Sequence, residues 1–317
     1  MNLIRYRYWY FLMSLLVIIP GLFFLVLHWT QHPQEGPLKL GIDFTGGALL
    51  EVRFDGQRPS IKVVQDVYEA FSTPEEAISN PLVQPLGEEA FAIRSKAMSD
   101  ETKAKIVAEL EARSGAKVTI LNFTSVSPVI GQEVTRAAVV AVMMASVAIM
   151  LYIWFAFRQV QHAFRYGTAA ILALLHDVFV VLGVEAILGY FLGWEADALF
   201  LTATLTVIGF SVHDTIVVFD RIRENARLYR RVDYERLVNH SIIQTLDRSI
   251  NTQLTVIFTL LALALFGGDS IRHFVIILLI GIFSGTYSSI FNAAPILVVW
   301  ENREWRNWFH RNQPALS

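Results

Sequence analysis

Apolar residues gather into six long runs along the chain, and polar and alternating positions fill the gap between the first run and the second. The first run extends from about Tyr8 to Leu27. Five more follow, at about 137–157, 167–188, 198–219, 246–266 and 274–300. A helix needs about 20 apolar residues to cross the hydrocarbon of a bilayer, so each run predicts a membrane span. The first is too long for a secretory leader, and no small-residue cleavage site follows His28-Trp29-Thr30. Tyr6, Tyr8, Trp9, Tyr10 and Trp29 flank it as interfacial anchors. The fifth run is marginal. Its unbroken part, Leu254 to Phe266, is too short to cross, so the helix must begin near Leu246 and draw Arg248 into the membrane.

Residues 29–134 read as a folded domain instead. Leu49–Phe54 alternates like a strand. Ser60 is a candidate N-cap for a helix ending near Phe71. Val83–Pro85 and Ala90–Ile93 flank a short turn, Leu86-Gly87-Glu88-Glu89, as in a hairpin. Ser99 or Asp100 caps a helix running to about Arg113, Ser114-Gly115 ends it, and Lys117–Val126 forms a last strand. The order β-α-β-β-α-β predicts an α+β ferredoxin-like domain. The expected layout is 1–28 for an N-terminus and first span, 29–134 for this domain, 135–300 for a bundle of five spans and 301–317 for a C-terminal tail. The fold class is a polytopic α-helical membrane protein.

Composition agrees. Of 317 residues 54% are hydrophobic and 17% charged, and the mean hydropathy is +0.46, whereas soluble domains carry about 25% charged residues. A net charge of -2 gives no reason to expect nucleic acid. With no cysteine there is no disulfide, iron–sulfur cluster or thiol nucleophile. No HExxH spacing, Walker A loop, dinucleotide loop or GxSxG occurs, so no metal, cofactor or enzymatic chemistry is expected. The arginines set an orientation. Arg5 and Arg7, then Arg158 and Arg165, then Arg221, Arg223, Arg227, Arg230, Arg231 and Arg236, then Arg303, Arg306 and Arg311 all fall on one side. The opposite loops hold Glu195, Asp197, Asp269 and Arg272. By the positive-inside rule both termini are expected in the cytoplasm and residues 29–134 outside it. The stretch Arg221–Arg236 reads as an interfacial helix near anionic headgroups or as orientation charge alone.

Ionisable groups within spans are costly and mark function by default. Span three carries His176, Asp177 and Glu185; span four carries His213 and Asp214; span five brings in Asp247 and Arg248. Asp214 is about 7–8 Å from the end of its span. Arg248 is at a comparable depth, so the two could pair, and a carboxylate beside a guanidinium stays ionised until the pair breaks. Thr206, Phe210, Asp214 and Val217 share a face, with Ser211 and Thr215 alongside; Arg248, Thr252 and Thr255 share another. The alternative is a structural ion pair that fixes helix register. His176 and His213 could be packing histidines, Glu185 could lie at the outer interface, and Asp247 could be solvated at the inner one. Gly281 and Gly285, continued by Ser288, Ser289, Asn292 and Ala293, predict a close helix-packing face.

These residues resemble the SecD/SecF family. Gly41-Ile42-Asp43-Phe44-Thr45-Gly46-Gly47 resembles the signature that opens its outer domain, and Val129-Ile130-Gly131-Gln132-Glu133 resembles the next motif. His176-Asp177 resembles the SecF-type form. The run from Gly209 through Asp214 to Asn225 is similar to the span-four motif, Arg248–Thr252 to that of span five, and Gly285–Phe291 to that of span six. One position departs: His213 stands where many members carry asparagine. The resemblance implies an RND-like transport subunit of a bacterial inner membrane. It implies pairing with a SecD-type subunit, association with the SecYEG channel and a YajC-like accessory subunit, and contact with translocating preproteins and membrane lipid. It further implies proton-driven movement of the outer domain, with Asp214, Arg248 and Asp177 on the proton path and His176, Ser211, His213, Thr215 and Thr252 supporting it. The rival classes are an RND-like small-molecule exporter subunit and a purely structural translocon-stabilising subunit.

Overall fold

The structure is a computed structural model that describes residues 2–33, 36–56, 58–74, 76–158, 163–229 and 231–304. Arg230, Arg306 and Arg311, three of the orientation arginines, lie outside the described residues. The chain divides into two compact units, Met1–Lys39 with Ala141–Ser317 and Leu40–Val140.

The first unit is a helical bundle. Its elements are α1 (Arg7–Gln31), the later part of α5 (Pro128–Phe157), α6 (Ala163–Leu192), α7 (Ala198–Leu228), α8 (Tyr234–Phe266), α9 (Asp269–Ser288), a π-helical turn (Ser289–Ala293) and α10 (Ala294–Glu301). Six helical segments among the described residues are long and apolar enough to cross a membrane, the last running from α9 through α10. All six spans expected from the apolar runs are therefore present, and the protein is a multi-pass membrane protein. Helix α1 exposes Trp9, Leu12, Met13, Leu16, Ile19 and Phe23, a surface suited to lipid, where intrahelical bonds satisfy the backbone.

Three features differ from the sequence expectation. The fifth helix begins at Tyr234, twelve residues before Leu246. Asp233 caps it by accepting from the Arg236 amide, and Leu237, Val238, Ser241, Ile242 and Thr245 bury its first turns. Bilayer thickness sets only a minimum length. Second, the arginine-rich stretch is no separate interfacial helix. Arg221, Arg223 and Arg227 are carried on the end of α7 and Arg236 on the start of α8, where Arg221 Nε donates to Gln244 Oε1 at 2.6 Å and Asn225 Nδ2 donates to Ser241 Oγ at 2.8 Å. Third, the sixth span is interrupted by the π turn. Pro295 lacks the amide that would close an ordinary turn onto residue 291, and its ring crowds that carbonyl.

Helices α1 and α6 touch backbone to backbone. A Cβ on Gly21 would lie 2.5 Å from Gly183 Cα, and one on Gly183 would lie 2.7 Å from Gly21 Cα. Small residues allow such approach in membrane bundles, where packing rather than hydrophobicity drives association. Gly183→Val is expected to cost about 1–3 kcal/mol through overpacking, read as a lower unfolding midpoint of the purified protein in detergent. A change indistinguishable from that of Gly209→Ala, whose Cβ would meet nothing within 4 Å, counts against this contact.

The second unit holds α2 (Ile42–Thr45), β1 (Gly47–Phe54), α3 (Ile61–Ala70), β2 (Leu82–Leu86), β3 (Ala90–Ser95), α4 (Asp100–Ser114), β4 (Val118–Val126) and the first turns of α5. The strands form one antiparallel sheet in the order β2-β3-β1-β4, the β-α-β-β-α-β arrangement of a ferredoxin-like fold. Alternation dictates the core: Ala48, Leu50, Val52 and Phe54 are fully buried along β1, and Val64, Val67, Ile106 and Leu110 come down on them from α3 and α4. Ser99 supplies the cap of α4, accepting from the Thr102 amide, and Gly115 ends it in the left-handed conformation. The two family-like motifs form one joint. Gly46 and Gly47 have φ of +74° and +130°, and a Cβ on Gly131 would lie 2.7 Å from Gly46 N and 2.9 Å from Phe44 O. Thr135 Oγ1 donates to Phe44 O at 3.1 Å.

Candidate functional site

The polar residues inside the bundle form two separate groups. In the first, Asp177 on α6 is fully buried. Its Oδ2 accepts from Ser211 at 2.5 Å and Ser288 at 2.6 Å, and its Oδ1 accepts from Ser284 at 2.8 Å. His176 Nδ1 lies 3.0 Å from the same Oδ1 and its ring stacks on Tyr287. The donors come from α7 and α9 as well as α6, so one carboxylate ties three helices together. The i, i+4 spacing of Ser284 and Ser288 puts both hydroxyls on one face. The same α9 face brings Gly281 against Val207 and Gly285 against Ser211.

The second group is on α7 and α8. Asp214 is buried, and Gln253 Nε2 donates to its Oδ2 at 2.5 Å. Four buried polar atoms on these two helices have no partner among the described residues: Thr215 Oγ1, Ser249 Oγ and Gln253 Oε1 near Asp214, and Asn225 Oδ1 further along α7. Buried polar atoms are ordinarily satisfied by protein or by ordered water, so this seam is chemically suited to water.

The expected Asp214–Arg248 pair is not formed. Five residues separate Arg248 from Gln253, about 500° of helix, which leaves them about 140° apart around α8. With Gln253 turned inward, Arg248 is exposed, about 7–8 Å nearer the start of α8. Thr252 is exposed on the same outward face and its hydroxyl bonds back to the Arg248 carbonyl. His213 is exposed on α7, and Asp247 is exposed on α8. Ser211, expected beside Asp214, serves Asp177 instead. Glu185 is buried near the end of α6, and His273 Nε2 lies 2.8 Å from its Oε2.

Sequence reasoning missed Gln253, His273 and Ser284 as partners of acids and took Ser288 as a packing residue. Gln253 carries no charge to flag it; only the phase of the helix, once known, points it at Asp214.

The comparisons with known proteins bear on this arrangement. The model for the C-terminal region of the protein export membrane proteins SecD/SecF matches residues 106–303, and the SecD/SecF GG motif matches residues 36–57. A protein translocase subunit SecF of Anaerolinea thermophila is 50% identical, covering 100% of this chain and 99% of the relative. The chain belongs to the SecD/SecF family. A SecF of Thermobaculum terrenum is 47% identical over 100% of the chain and 99% of its own length. The crystal structure of SecDF from Thermus thermophilus, described as a translocon-associated membrane protein, aligns with a TM-score of 0.78 and 32% identity, over 96% of this chain. The chain spans 39% of that SecDF chain. Within the SecD/SecF frame the matched region 106–303 includes both acid groups.

Proposed function

We propose that this chain is the SecF-type subunit of a protein-export machine and that it couples the proton-motive force to movement of preproteins through a SecYEG-type channel. One observation carries the proton reading: a buried Asp214 held by a single donor on α8, while Arg248 of that helix points out of the bundle with no ion pair among the described residues. An exposed guanidinium on a membrane span needs a counter-charge. A SecD-type subunit supplies it in this reading, and relatives in which SecD and SecF form one SecDF chain support the pairing. The unpartnered polar atoms beside Asp214 give water a place to bring the proton. In this reading the arginine-bearing helix ends and both termini face the cytoplasm of a bacterial inner membrane, residues 29–134 lie outside, and a YajC-like accessory subunit can join. The chain performs transport rather than catalysis. One charge crossing 100 mV supplies about 2.3 kcal/mol, enough to redistribute a two-state equilibrium.

The test uses membranes from a strain lacking both subunits, supplied with this chain and its SecD-type partner. Export of a secreted preprotein is expected to rise, and a protonophore is expected to remove the increment. An increment insensitive to the protonophore, or none from an assembled pair, rejects the reading.

A further inference from the structure

Glu185 takes no part in the seam at Asp214. It is 2% exposed near the end of α6, and its Oε1 has no hydrogen-bond partner among the described residues. An unmet carboxylate oxygen at that depth calls for a proton or a water. Both are within reach. His273 Nε2 lies 2.8 Å from Oε2, and the His273 side chain is 18% exposed, so the imidazole spans from the buried acid to the bundle edge. The Trp194 ring covers it at a centroid distance of 4.4 Å. On another side is a cavity of about 10 Å³, lined by Glu185 together with His28, Lys39, Gly189 and Trp194, space for the centre of one water.

The neighbouring charged and titratable groups are few. Lys39 is paired with Glu195 at 3.0 Å, and Asp197 caps α7 through the Phe200 amide. His28 on α1 faces the Gly36 carbonyl and the ring of His32, and Arg272 precedes His273 on α9. Glu195 is the carboxylate brought near this cavity, through its pairing with Lys39. Toward Asp177, about 12 Å away along α6, the chain is apolar on both helices: Val178–Val184 on α6 and Phe274–Phe283 on α9. These two stretches offer no polar side chain toward Asp177, and the acid opens through His273 to the end of the bundle where α6 finishes and α9 begins.

We propose that Glu185 and His273 form a second proton-binding site, which exchanges protons with the aqueous phase at that end of the bundle. The step balances. A hydronium at the exposed edge gives its proton to His273 Nδ1 and becomes water. The Nε2 proton passes to Glu185 Oε2, which becomes a carboxylic acid, and the imidazole is left neutral with its proton on the other nitrogen. Release runs the same path backward. The site stands beside the Asp214 reading and does not rest on it.

The test is pH-difference infrared spectroscopy of the purified full chain in lipid nanodiscs, which needs neither partner nor export. Acidification is expected to raise a carboxylic-acid C=O band, with one component lost in Glu185→Gln, shifted in frequency in Glu185→Asp and His273→Gln, and retained in Asp214→Asn. If Glu185→Gln does not give a monodisperse protein, Glu185→Asp decides. A Glu185→Gln spectrum that superimposes on the wild type, or an unshifted Glu185→Asp spectrum, overturns the proposal and leaves the export reading intact.

Discussion

Asp214→Asn is expected to leave the bundle folded and to remove the whole gradient-dependent share of export, down to the rate measured with a protonophore. Asparagine has the shape of aspartate, and its Oδ1 can still accept from Gln253 Nε2, which in the parent donates at 2.5 Å. The exchange weakens a hydrogen bond to a charged acceptor into one to a neutral acceptor, a difference of about 1 kcal/mol. What it deletes is the group that can alternate between charged and neutral. Arg248→Leu makes the complementary case. Its side chain points outward, so the unfolding midpoint of the chain alone should stay within the small range of surface substitutions, while export and association with the SecD-type partner fall together. Gradient-dependent export at the parental rate in an assembled Asp214→Asn complex would remove Asp214 from the proton path.

The sequence was legible wherever one physical constraint acted alone. Bilayer thickness imposes apolar runs of fixed minimum length, so all six spans could be read. Alternation places Leu50, Val52 and Phe54 on one face of β1, and that face is the core. Legibility failed where a position depends on helix phase or on a partner remote in sequence. Asp214 and Arg248 look paired when only depth is considered. Gln253 is the residue level with Asp214, and the rotation of α8 that buries Gln253 necessarily turns Arg248 away. Gly21 and Gly183 lie in different spans and in no GxxxG, so only their backbone approach reveals the contact. Ser284 and Ser288 show a subtler difficulty. Small residues at i, i+4 both permit close packing and donate hydrogen bonds, and their spacing does not say which function dominates. The partner decides it, and the partner is Asp177, more than a hundred residues earlier.

That partnership leads to different expected results for the two acids. Asp177→Ala is expected to cost about 2–4 kcal/mol, read as an unfolding midpoint well below that of the parent, because it strands the hydroxyls of Ser211 and Ser284 in a buried site, while Ser288 Oγ falls back on the Gly285 carbonyl at 3.2 Å. Each orphaned donor costs about 1–3 kcal/mol, and relief of the buried charge returns part of the sum. Asp177→Asn should lose less, about 1 kcal/mol, since a carboxamide of the same shape still accepts at one atom and can donate to a serine oxygen at the other. The carboxylate has about four lone-pair sites, and Ser211, Ser288, Ser284 and the His176 ring occupy them. A proton added there displaces a donor that holds α7 or α9 in place. Asp214, with one donor and unpartnered polar atoms on its flanking helices, gains a proton without breaking such a tie. In the proposed reading Asp177 holds α6, α7 and α9 in register and Asp214 changes charge. On that division Asp177→Asn retains gradient-dependent export in proportion to the folded protein present, whereas Asp214→Asn retains none. A folded Asp177→Asn protein that has lost the gradient-dependent component would place Asp177 on the proton path itself.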